Sequence, residues 1–161
     1  MKRRWSKRAS ALLCIVGLGL VGFATRAAGQ SQPVVSLKKC LSAKQIELPS
    51  LASRFDVKGK RAVEVEVELS GPDRAVTISS ADFAFRYKAD GTERTIPCVG
   101  LYTGFGIWDL ASHGPVTDER NFGQEPNQRL LFLVPTDVTQ GHVLRTVSNE
   151  AVEVKAIPSG Q

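Results

Sequence analysis

Hydrophobic and polar positions alternate without a break along RAVEVEVELSG, where Val63, Val65, Val67 and Leu69 are separated by Glu64, Glu66 and Glu68. Successive side chains of an extended chain point to opposite faces, so this pattern predicts a strand with one buried and one wet face. A helix would spread the same valines around its whole circumference. Gly71-Pro72-Asp73 ends the strand. Beyond it, Val76 and Ile78 mark a short strand, and Phe83, Phe85 and Tyr87 a second one with its aromatic face inward. Asp90-Gly91 tolerates positive φ and predicts a tight turn, with Thr95 to Tyr102 as the return strand. Pro97 cannot donate to a ladder, which places it at an edge or a bulge.

The run RLLFLVP is apolar at consecutive positions, the pattern of a central strand covered on both faces, and Pro135 stops it. Two further strands are predicted over 142–147 and 151–157, the latter alternating through Val152, Val154 and Ala156. An edge strand is expected over 34–37, while 43–55 has no clear period. Residues 103–127 hold no lasting period and read as a long irregular connection. About seven short strands, turn signals between them and no convincing long helix predict an all-β fold. The architecture expected is an immunoglobulin-like antiparallel β-sandwich, with a closed barrel as the alternative.

The first residues change the picture of location and charge. MKRRWSKR carries five basic residues and no acid, SALLCIVGLGLVGFA follows as an apolar run, and ATRAAGQ supplies small residues. That order predicts a helical signal peptide over 1–29, with a mature start near Gln30. The alternative is an uncleaved membrane anchor over residues 9–25. The chain is therefore expected to be secreted or periplasmic, or else tethered to a membrane through that one segment. The domain scheme is then 1–29 signal, 30–56 lead-in and 57–158 sandwich.

The whole chain carries +5. Loss of the leader removes six basic residues and leaves fifteen against all 16 acids. The basic excess belongs to the leader, so binding to nucleic acid loses its electrostatic basis.

Of three cysteines, Cys14 lies in the leader. In an exported chain the remaining pair, Cys40 and Cys98, predicts a disulfide, which would stabilise the fold by about 4 kcal/mol in the chain-entropy account. Two buried free thiols are the alternative. Neither lies in a C-x-x-C pair, and zinc would need two more ligands.

Two strand motifs carry a resemblance. Asp82, Phe83, Asp90 and Gly91 fit one strand-and-turn pattern, and Leu131, Phe132, Val134 and Pro135 fit a second. Across residues 57–146 the chain resembles the bacterial exported immunoglobulin-like domains of unknown function, a group similar to secreted immunoprotective antigens. The resemblance implies the sandwich fold and no chemistry, because the group shares no activity. The lipoprotein cysteine common in that group is missing here, and Glu125-Pro126-Asn127 replaces its usual Pro-Gly.

Candidate chemistry is sparse. His113 and His142 are the only histidines, Asp109 stands four residues before His113, and no serine lies in a G-x-S-x-G elbow. Asp118, Glu119, Asn121 and Glu125 offer oxygen ligands without the spacing of a calcium loop. Glu64, Glu66 and Glu68 read as a solubilising row that guards the strand if it lies at an edge.

The stretch LYTGFGIWDL is the most suggestive. Tyr102, Phe105, Ile107 and Trp108, spaced by glycines, either grip a partner or plug the open end of the sandwich. The function expected is non-enzymatic contact with a protein, a glycan or another envelope component, with no cofactor or metal. The alternative is a small-ligand carrier or enzyme accessory domain that uses the 103–127 loop.

Overall fold

The computed structural model describes residues 34–112, 114–123 and 126–158, all within one compact unit, Ser31–Gln161. The leader expected over 1–29 lies outside the described residues, as do His113 and Glu125.

Eleven strands form among the described residues, where the sequence predicts about seven. They are β1 (Ser36–Ile46), β2 (Lys60–Ser70), β3 (Ala75–Ser79), β4 (Phe83–Ala89), β5 (Thr92–Pro97), β6 (Gly100–Gly104), β7 (Ile107–Leu110), β8 (Thr117–Asn121), β9 (Asn127–Pro135), β10 (Gly141–Arg145) and β11 (Glu150–Val154). Every pairing is antiparallel. A five-stranded sheet runs β1-β2-β9-β6-β7, a four-stranded sheet β11-β10-β4-β5, and β3 pairs with β8 alone.

Alternation in β2 and β4 does what the sequence predicts. Val63, Val65, Val67 and Leu69 share one core with Leu130, Phe132 and Val134 of β9 and with Phe83, Phe85 and Tyr87 of β4. The Phe85 and Phe132 rings meet at 5.6 Å between centroids. Full burial of each such side chain is worth about 1.5–3 kcal/mol. β9 is the middle strand of its sheet and is buried on both faces, as its unbroken apolar run requires.

The turn at Asp90-Gly91 also forms. Asp90 and Gly91 take φ of 52° and 74°, and Ala89 pairs with Thr92 across a two-residue loop. Pro97 ends β5 at the edge of the four-stranded sheet.

Four expectations are corrected. The return strand over 95–102 is divided between two sheets. Cys98 N–H donates to Phe83 O at 3.2 Å, and Val99 N–H donates to Leu131 O at 2.8 Å, so consecutive residues hand the chain from one sheet to the other. The 30–56 lead-in contributes a full edge strand, β1, rather than a short one over 34–37. Register shifts at Leu37/Lys39 and Cys40/Ser42 break its period, which hides it from a search for alternation. The 103–127 connection contains β7 and β8, the latter paired with β3, and Val116 and Phe122 from this stretch enter the core.

The expected bridge is the fourth correction, since Cys40 and Cys98 are both free thiols. Cys40 lies on β1, and Cys98 lies beside the start of β6, with β2 and β9 between those strands. Each such strand step is about 4.8 Å. A disulfide spans at most about 7 Å between Cα atoms.

Candidate functional site

Hairpin β6–β7 closes one edge of the five-stranded sheet. Its three-residue tip, Gly104-Phe105-Gly106, has φ of 104°, 51° and 78°. Positive φ is ordinary for the two glycines and uncommon for a bulky aromatic, so the glycines hold Phe105 in a conformation it does not prefer. Two bonds fix the tip: Gly106 N–H donates to the Tyr102 hydroxyl at 2.8 Å, and the Thr103 hydroxyl donates to Ile107 O at 3.4 Å. The result is a turn tied at two points, with Phe105 at 102% relative exposure and Ile107 at 60%.

Beneath the tip, the cross-strand pair Tyr102 and Trp108 packs edge to face at 5.4 Å. The Arg129 guanidinium from β9 lies 3.7 Å from the Tyr102 ring centre and 5.7 Å from that of Trp108. Arg129 grips the Glu64 carboxylate of β2 with two hydrogen bonds of 2.6 Å, and Lys44 of β1 reaches the same group at 3.2 Å. One transverse row therefore crosses the whole sheet, running Lys44, Glu64, Arg129, Tyr102, Trp108. Bidentate pairing and stacking are what a planar guanidinium does best. Burial pushes the Glu64 carboxyl upward, but the bonds from Arg129 and Lys44 outweigh it and hold the group below the usual carboxylate range. Its hydrogen bonds to Glu64 hold Arg129 above the ordinary arginine value.

The glutamate row thus differs from the wet face expected of it. Glu64 is 3% exposed, Glu66 takes bonds from Ser42 at 3.3 Å and Asn127 at 3.2 Å, and Glu68 pairs with Lys39 at 2.9 Å. β2 is an interior strand covered by β1, so the row cross-links strands instead of guarding an edge.

Of the expected loop residues, Tyr102 and Trp108 form the base of the hairpin and Phe105 its tip. Trp108 does pack on a satellite apolar cluster of Leu51, Ala62, Val99, Leu131 and Leu133, whereas Phe105 plugs nothing. Arg129, Glu64 and Lys44 were not singled out as site residues: register sets Lys44 opposite Glu64, but Arg129 stands opposite Glu66 and reaches Glu64 on the diagonal.

The other candidates stand apart. His142 is exposed on β10 between Arg86 and Glu153, in a groove of about 390 Å³ also lined by Asp137 and Lys88. Asp118 is engaged by Arg120 at 2.8 Å, and the Asn121 side-chain oxygen accepts from Gly123 N–H at 3.2 Å. Among the described residues no three metal-binding side chains gather.

Comparison with known proteins finds no family model, no curated protein and no solved structure that matches this chain.

Proposed function

We propose that this chain is an exported immunoglobulin-like β-sandwich domain that acts by contact rather than catalysis, with hairpin β6–β7 seated against a protein partner outside the cytoplasm. The single observation that carries this reading is Phe105, a large apolar side chain left wholly in water on a turn built to keep it there. Rigid aromatic anchors dominate the energetics of protein interfaces, and presenting one in a fixed conformation lowers the entropy lost on binding. The stacked Tyr102, Trp108 and Arg129 beneath it give the anchor a firm base. Export is supported by the basic, apolar and small-residue order of the first 29 residues. The immunoglobulin-like assignment is supported by two antiparallel sheets that share one core.

The test is affinity capture from a cell-envelope extract, comparing the full chain with its Phe105→Ser variant. A protein retained by the first and lost from the second is the expected result. Equal capture by both would overturn the reading. Loss of a retained polysaccharide instead of a protein would move the partner to the glycan class.

A further inference from the structure

The geometry points to strand addition at β7, where an extended segment of a partner protein carrying an apolar–basic–apolar triplet pairs with the open edge of the five-stranded sheet. The inference rests on the reading that this hairpin is a binding surface, and it states the form and chemistry of what binds. β7 ends the sheet order, so among the described residues no strand lies beside its outer backbone row. Ala111 N–H donates inward to Val99 O at 2.9 Å. Antiparallel ladders alternate by residue, so Asp109, two positions earlier, also faces β6. Trp108 and Leu110 then direct N–H and C=O away from the sheet.

The other edges of the two larger sheets are blunted. β1 carries Lys39, Lys44 and two register shifts, β5 carries Glu93 and Arg94 and ends at Pro97, and β11 is approached by β1 through a Leu37 to Glu150 bond of 2.9 Å. Charges, prolines and bulges are how sheets prevent pairing with other chains. The sequence of β7, IWDL, has neither lysine nor proline. A groove of about 370 Å³ borders it, lined by Asp109 and Leu110 of β7 together with Arg54, Ser112, Pro115 and Thr117.

Charge decides the occupant. A second copy adding antiparallel, with its Leu110 bonded to Trp108, would set Asp109 opposite Asp109, and like charges directly opposite destabilise a ladder. Moving that pairing to Trp108 opposite Trp108 runs the strand into the positive-φ turn at Gly106. A different chain with Lys or Arg opposite Asp109 meets neither obstacle. Its neighbouring residues fall on the same face as Trp108 and Leu110, where apolar side chains continue the satellite cluster that both residues pack against.

The experiment selects binders for the full chain from a phage-displayed library of random peptides, then measures amide hydrogen exchange by NMR with one synthetic binder. Expected are peptides with a basic residue between two apolar ones, and exchange at Trp108 and Leu110 slowed by about tenfold or more. Selection on the Asp109→Lys variant, whose altered side chain is exposed, should return an acidic central residue. Three results overturn strand addition: no peptide retained, the same peptides retained by both proteins, or a dimer in which these amides are protected without peptide. Binding that Phe105→Ser abolishes, with Trp108 and Leu110 exchanging as before, would also overturn it while leaving the broader reading intact.

Discussion

Replacing Arg129 by methionine tests the transverse row directly. Methionine keeps an apolar stem over the Tyr102 ring and removes the charge, so Glu64, 3% exposed in the native sheet, is left with Lys44 as its remaining cation. Hydrogen bonds to a charged group contribute about 1.5–3 kcal/mol, and a stacked cation on a partly exposed ring about 1 kcal/mol. The variant should lose about 3 kcal/mol, a large part of the 5–15 kcal/mol that holds a domain together. With a urea slope of about 1.5 kcal/mol per molar, the midpoint should fall by about 2 M, followed through the fluorescence of Trp108.

The partner substitution sharpens the test. Glu64→Gln in the Arg129→Met background removes the stranded charge, so the double variant should be more stable than the two single losses added, by about 2 kcal/mol. Acid should shrink the difference between wild type and Arg129→Met. Glu64 is depressed in the fold, so its contribution is present above the ordinary carboxylate range, near pH 4.3, and is lost as pH falls through its folded value. Coupling below about 0.5 kcal/mol, the worth of an exposed pair, would refute the claim that the row is structural.

Other outcomes are as definite. Intact mass under non-reducing conditions should show Cys40 and Cys98 both reduced; a thiol reagent should label half-buried Cys40 in the native protein and Cys98, which burial pushes up to about 12, only after unfolding. A mass two hydrogens lighter would restore the bridge. Gly141→Ala should destabilise by about 1–3 kcal/mol, since its Cβ would lie 2.5 Å from the Phe85 ring and 2.6 Å from Arg86 O, and an unchanged denaturation midpoint would contradict that packing. Phe105→Ser should leave the unfolding free energy within about 0.5 kcal/mol of wild type, and a larger loss would show Phe105 to be a packing residue.

Strands whose period survives in the sequence were legible: β2 through its valine and glutamate alternation, β4 through its aromatics, β9 through its apolar run, and the β4–β5 turn through Asp90-Gly91. Strands whose period is broken were not. Two register shifts disguise β1, β7 is too short for a period to repeat, and β8, Thr117–Asn121, holds no apolar residue to carry one. The aromatic hairpin was visible from Tyr102, Phe105 and Trp108. Its support was not, since Lys44, Glu64 and Arg129 are far apart in the chain, and Arg129, opposite Glu66 in register, meets Glu64 only by reaching diagonally across the ladder. The bridge failed for the same reason: an even pair of cysteines says nothing of how many strands lie between them.

The corner between β1 and β11 sets an order of events. Leu37 N–H is held by the Glu150 carboxylate, 113 residues later, and Arg145 donates to Val35 O. Strand β1 is thus secured by residues more than a hundred positions further along the chain. A chain emerging amino terminus first can form the β1–β2 pair early, yet this seam stays open until β10 and β11 arrive. Contacts of such separation are slow to form. The amino-terminal strand therefore stays unlocked on this side until both strands of the β10–β11 hairpin are in place.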